Sequence, residues 1–148
     1  MTAVRDSLLG AWNLLSFDFV RDDGEISHPY GPRPQGQLIY TPSGRMAVHI
    51  QRRGRLVAHS DDWTQATTAE IDTAFHGFIG YAGAFTVDEA AGCVYHDVEL
   101  ASWMNQEGTR QVRSYELNEA GDRLTLRAAP RHLAGALTST CLVWERIG

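Results

Sequence analysis

The residues of this chain best suited by type and spacing to act together are His96, Arg113, Gln111, Tyr40 and Tyr81. His96 lies in the run Cys93-Val94-Tyr95-His96-Asp97-Val98-Glu99-Leu100-Ala101. In an extended strand successive side chains point to opposite faces. One face then carries Val94, His96, Val98 and Leu100, and the other Tyr95, Asp97 and Glu99. The apolar face belongs inside, which puts His96 among aliphatic neighbours. The same count in Thr109 to Leu117 sets Gln111, Arg113, Tyr115 and Leu117 inward, against Arg110, Val112, Ser114 and Glu116 outward. An arginine facing an interior is costly unless its charge is answered. Either a buried carboxylate answers it, or a ligand oxygen does, with Gln111 adding a donor. His96 is the one group of this set that titrates near neutral pH. Tyr40 and Tyr81 add ring faces and hydroxyls. Tyr81, Gly83 and Phe85 share a face, on which the glycine is expected to leave room. Met46, Val48 and Ile50 read as apolar lining, with His49 facing out. The expected binding set is Tyr40, Met46, Tyr81, Phe85, His96, Gln111, Arg113 and Tyr115, with His96 and Arg113 as the candidate catalytic pair.

Other constellations lack the spacing their chemistry needs. His28, His49, His59, His76, His96 and His132 fall on different elements, and Cys93 and Cys141 match no zinc pattern, so no metal site is expected. The cysteines read as small buried residues of a reducing compartment. Asp72 and His76 are four apart on a helix and read as a surface contact. Arg52-Arg53-Gly54-Arg55 reads as a solvated loop. No phosphate loop, nucleophile elbow or HExxH motif occurs. All thirteen basic residues are Arg, so no lysine Schiff base can form. No cofactor is called for.

The elements that must position these residues are mostly strands. Arg5 to Leu9 can form a helical turn, and Gly10 to Val20 reads as a long strand. Ile26 to Gln35, with Pro29, Pro32 and Pro34, reads as an irregular loop. Gly36 to Thr41 and Arg45 to Gln51 form a hairpin across Pro42-Ser43-Gly44. A helix follows, introduced by the capping-box spacing of Thr67-Thr68-Ala69-Glu70. Its apolar stripe is Ile71, Ala74, Phe75, Phe78 and Ile79, expected on the outside or across the end of a sheet. Strands are then expected over Tyr81 to Asp88, Cys93 to Ala101, Thr109 to Leu117, Arg123 to Arg127 and Thr138 to Arg146. Eight strands in up-and-down order, with one helix inserted between the third and fourth, are enough for a sheet to close around a small-molecule cavity. The whole chain of 148 residues is one such all-β domain.

Composition narrows the partners. At 43% hydrophobic and 21% charged, the chain is neither disordered nor fibrous. A net charge of −5 gives no reason to expect nucleic acid or an anionic membrane as partner. No run of about 18 apolar residues exists to span a bilayer, and the N-terminus shows no signal-peptide core, so a cytoplasmic location is expected. An exposed strand pair offers a route to a homodimer.

Gly10-Ala11-Trp12 is a G-x-W pattern at the start of the first strand. It is followed in order by Gly36, Leu38-Ile39-Tyr40-Thr41, Gly44 and Met46, and by Tyr81-Ala82-Gly83-Ala84-Phe85. His96, Val98 and Glu99 come next, then Gly108-Thr109, Gln111 and Arg113, then Leu124-Thr125-Leu126 and Trp144-Glu145-Arg146. On these residues the chain resembles the bacterial and fungal lipocalin-like domain family, small proteins often found beside secondary-metabolite enzymes. Phe85 stands where the family usually has Tyr. In Ser102 to Glu107, Met104 and Gln106 stand where many members have Pro and Trp around the Asn matched by Asn105. The resemblance implies an eight-stranded antiparallel barrel of calycin type with a central cavity. It also implies that Arg146 packs over Trp12 at the closed end.

Three functions fit these readings. One is binding of a small, largely apolar, oxygen-bearing molecule, aromatic or polyketide-like, in the cavity. Another is a cofactor-independent isomerase, cyclase or dehydratase, in which His96 moves a proton while Arg113 and Gln111 stabilise an oxyanion. The third is an interaction module with a sealed core.

Overall fold

A computed structural model of the protein describes residues 3–148. A short helix, α1 (Val4–Leu8), leads into β1 (Gly10–Arg21), β2 (Ile26–Ser27), β3 (Gln35–Tyr40) and β4 (Arg45–Gln51). Helix α2 (Thr68–His76) precedes β5 (Phe78–Asp88), β6 (Cys93–Ala101), β7 (Arg110–Leu117), β8 (Arg123–Leu133) and β9 (Ala136–Arg146). All neighbouring strands are antiparallel, and β1 pairs with both β3 and β9, so eight strands close into a barrel. The two-residue β2 pairs with the far end of β1 inside the expected irregular loop. The inserted helix falls between β4 and β5, the third and fourth barrel strands. No helix among the described residues is long and apolar enough to cross a membrane.

The up-and-down order gives the barrel two ends. At one end meet the start of β1, the end of β3 and the start of β4, with Trp12, Tyr40 and Met46 buried there. Phe85, Val94, Leu124 and Trp144 complete the packing, and Leu8 of α1 plugs it from below, accepting a hydrogen bond on its carbonyl from Trp12 Nε1 (2.9 Å). Arg146 closes this end with its guanidinium 4.2 Å from the centroid of the Trp12 ring, the placement the family resemblance implied. Gly10 must be glycine here. Its φ is +115°, and a Cβ would lie 2.3 Å from the carbonyl oxygen of Gly148.

Bulges decide which side chains enter the lumen. In β1 the pairing with β9 slips between Leu14 and Ser16. Strict alternation after Trp12 and Leu14 would turn Ser16 inward; the slip brings in Phe17 instead, packed against the core. In β6 the pairing with β5 slips at Glu99, between Gly83↔Val98 and Ala82↔Leu100. Leu100, expected inside with His96, is therefore 69% exposed. Gly83 sits against this bulge. A Cβ there would lie 1.9 Å from the Asp97 carbonyl oxygen, so the glycine admits a close backbone approach and does not open cavity space as expected. Gly83→Ala should cost roughly 2 kcal/mol by forcing strands apart at the bulge. The shift in the urea midpoint measures it; an unchanged midpoint would show that the bulge relaxes freely.

Helix α2 has the expected capping box, Thr67 and Glu70 bonding each other's backbone N–H. It stops at Gly77, however, so Phe78 and Ile79 belong to β5 and not to its stripe. Ile71 and Phe75 remain 57% and 42% exposed, Phe75 standing edge-on to Trp103. Asp72 and His76 form the expected exposed i,i+4 pair at 3.2 Å. The cysteines, expected buried, are half-buried and free, because both sit in outward-facing register positions.

Candidate functional site

At the end away from Trp12 the lumen is not filled. It keeps a cavity of about 80 Å³ walled by Phe17, Leu38, Val48, Ile50, Ile79, Leu126, Leu142 and Trp144. Polar character enters through Tyr81, His96, Gln106, Arg113, Arg131 and Thr140. Such a volume holds several waters or one small ring.

His96 is at the floor of this space, 2% exposed. Both of its ring nitrogens are engaged. Tyr40 Oη lies 2.6 Å from Nε2, and Tyr81 Oη lies 2.7 Å from Nδ1. Burial, reinforced by the charge of Arg113 and only partly opposed by Asp97, depresses its pKa to about 3, so the ring is neutral at physiological pH. A neutral imidazole has one N–H and one acceptor nitrogen. Tyr40 is 1% exposed, and among the described residues its hydroxyl meets no partner but Nε2. Its proton is satisfied only if it donates to Nε2. The imidazole N–H then sits on Nδ1 and donates to Tyr81 Oη, leaving the Tyr81 proton free to point into the cavity. Burial holds both phenols above their ordinary pKa, so both keep their protons. The Arg113 and Arg131 charges pull Tyr81 partly back.

Arg113 reaches the cavity from β7. Its Nη2 donates to Gln111 Oε1 (3.3 Å) and its Nη1 to the Val112 carbonyl (3.0 Å). Neither acceptor carries charge. The carboxylates nearest in register, Asp97 and Glu99 on β6, point outward and pair with Arg110 (2.7 Å) and Arg45 (2.6 Å). Among the described residues no carboxylate answers Arg113.

Of the residues singled out from the sequence, Tyr81, His96 and Arg113 line the cavity, and Tyr40 stands directly behind His96. The others are displaced from it. Met46 and Phe85 fill the closed half, Phe85 stacking obliquely on Tyr40 with centroids 4.6 Å apart. Gln111 spends its amide donor on Thr109 Oγ1 (2.9 Å) and serves to hold Arg113. Tyr115 packs against the core at the β5–β6 turn, its backbone N–H on the Gly92 carbonyl.

Three polar lining residues, Gln106, Arg131 and Thr140, escaped sequence reasoning. Arg131 follows a third bulge, where the β8–β9 register slips between Ala128 and Arg131 around Pro130. The strand was expected to stop at Arg127, and Pro130 is the signal that could have marked a bulge instead of an end. Gln106, in a 3₁₀ turn before β7, is 9% exposed and keeps its Oε1 without a partner. Trp144 likewise keeps Nε1 buried and unpartnered.

Comparison with known proteins agrees with this geometry. The chain is 28% identical over 109 residues to the 4'-hydroxy-3'-methoxypropiophenone carrier protein ppsC of Aspergillus oryzae (strain ATCC 42149 / RIB 40), covering 69% of this chain and 96% of the relative. The barrel and this carrier relative together support binding of a small molecule in the lumen. The model of the lipocalin-like domain matches residues 9–147, and with the closed eight-stranded barrel this places the protein in the lipocalin-like domain family.

Proposed function

We propose that the protein binds and carries a small, largely apolar aromatic molecule bearing oxygen substituents, held in the barrel cavity. One observation carries the reading: an apolar cavity into which Arg113 brings a charge with no carboxylate to meet it. Such a charge is tolerated where a ligand oxygen completes it. The carrier relative is named for an aryl ketone with phenol and methoxy oxygens, a molecule of this chemical class. The state of His96 favours carriage over acid–base turnover. Both of its nitrogens hold tyrosine hydroxyls, and its pKa of about 3 leaves it a poor proton acceptor at neutral pH.

Trp144 lines the cavity, so occupancy can be read from tryptophan fluorescence. Titration with 4'-hydroxy-3'-methoxypropiophenone should quench the signal saturably at one ligand per chain. Ile50→Phe, which adds a ring to the cavity wall, should abolish the response while leaving the unfolding midpoint close to that of the natural protein. Linear quenching without saturation, or saturation that survives Ile50→Phe, would place any binding elsewhere and end the proposal.

A further inference from the structure

Resting on that reading, we infer that the cavity selects a single-ring aromatic ligand in its anionic form, a phenolate or carboxylate whose oxygen is gripped between Arg113 and Arg131. The two guanidinium groups reach the same cavity from adjacent strands, β7 and β8. The Arg131 side chain makes no hydrogen bond or ion pair among the described residues, while its backbone pairs with Thr138 of β9, and Arg113 bonds only uncharged acceptors. The lining contains no Asp or Glu from any strand. Two like charges set close together in a partly desolvated site repel each other, and burial followed by the Arg113 charge holds Arg131 below its ordinary pKa. An anion between them relieves that repulsion and makes charge-assisted hydrogen bonds to both.

The uncharged groups point the same way. The tyrosine–histidine chain leaves the Tyr81 O–H as a donor into the cavity. Gln106 and Thr140 can present either a donor or an acceptor. A ligand bringing acceptor oxygens meets more partners here than one bringing hydrogens. The chain as a whole has net charge −5, so its overall field opposes anions and any preference for them must come from the site itself.

Nitrobenzene and benzoate are close in size and shape and differ in charge, which makes them a matched pair. 4-Nitrophenol adds a phenol that ionises near neutral pH and changes its visible absorption as it does. Each is titrated against the intact protein by calorimetry, because Trp63 and Trp103 are exposed and nitroaromatics would quench them without entering the cavity. At least one of the two anions should bind about tenfold or more tightly than nitrobenzene, as expected for a charge-assisted contact. Benzoate and 4-nitrophenolate as separate arms tell carboxylate from phenolate. If the phenolate is the form held, bound 4-nitrophenol should ionise at lower pH than free 4-nitrophenol. In Arg131→Met and in Arg113→Met the ratio of anion to nitrobenzene affinity should fall towards one. Because nitrobenzene is read in the same variant, a loss of fold lowers both affinities and is told apart from a loss of selectivity. Nitrobenzene binding as tightly as both anions would overturn the inference and leave the cavity reading intact. A ratio unchanged in both arginine variants would overturn the assignment of these residues. No saturable binding of any probe, 4'-hydroxy-3'-methoxypropiophenone included, would remove both readings together.

Discussion

Arg146→Met should lower the unfolding free energy by about 4 kcal/mol, among the largest effects any single side chain of this barrel can produce. Methionine keeps much of the volume and the unbranched stem, so the loss isolates the guanidinium. That group donates to the carbonyls of Leu9 (2.7 Å), Gly121 (3.0 Å) and Ser7. It thereby ties α1 and the β7–β8 turn to the last strand. Hydrogen bonds from a charged donor are worth roughly 1.5–3 kcal/mol each. Their contributions overlap because all end on one group, and the contact with the Trp12 face adds about 1 kcal/mol. Without the guanidinium, half-buried carbonyls lose their donors and the fully buried Trp12 loses its cover. Arg146→Lys should recover about half of the loss, since an ammonium keeps the charge but not the planar fork that spans three carbonyls. Urea unfolding of the three proteins measures this. Equal midpoints for Arg and Met would show that the clamp carries no net stability.

This closed end is where the sequence was most legible. Gly10 and Trp12 open the first strand and Arg146 ends the last, far away in the chain, yet their motifs are distinctive enough to be placed by family resemblance, and the geometry agrees. Inside the barrel, alternation located His96 and Arg113 correctly because β6 up to Val98 and the whole of β7 are regular. It failed wherever a bulge intervened. Glu99 carries the slip that turned Leu100 out, and Pro130 stands in the slip beyond which Arg131 enters the lumen. A bulge inserts one or two residues without altering composition, so period-two counting passes through it unaware. The depth of a residue was also hidden. Met46, Phe85 and Tyr115 face inward as expected, but facing inward says nothing of which half of the barrel a side chain fills. That depends on strand direction and stagger, which the pairing of distant residues sets. The tyrosine–histidine chain was out of reach for the same reason. Tyr40 and His96 are 56 positions apart and meet only because β3, β4, β5 and β6 are sequential neighbours in the sheet.

That chain of three side chains should make the protein's stability fall as the medium is acidified, beginning well above the range where carboxylates titrate. The folded protein holds His96 neutral, with a pKa of about 3 against an ordinary value of 6.5. Between these limits the unfolded chain takes up a proton that the folded chain refuses. Unfolding then gains from every added proton, and stability declines by about 1.4 kcal/mol per pH unit. The contribution is complete above pH 6.5 and is lost progressively as pH falls, the loss approaching ~5 kcal/mol at the lower limit. The physical cause is the desolvated site. An imidazolium there would have to be a donor at both nitrogens, displacing the Tyr40 proton from Nε2, while standing near the positive Arg113. His96→Gln separates this effect from the rest of the acid titration. Glutamine does not titrate, and its amide can still accept from one tyrosine and donate to the other. At pH 7.5 the variant should be less stable by about 1–2 kcal/mol, the cost of imperfect hydrogen bonds in a buried chain. On acidification from pH 7 to 4.5 the natural protein should lose its advantage, and below about pH 5 the variant should become the more stable of the two. Urea unfolding at half-unit intervals over this range locates the crossing. Parallel pH profiles for the two proteins would mean that His96 protonates in the folded protein as readily as in the unfolded chain, and the burial of a neutral imidazole between Tyr40 and Tyr81 would no longer account for the acid response.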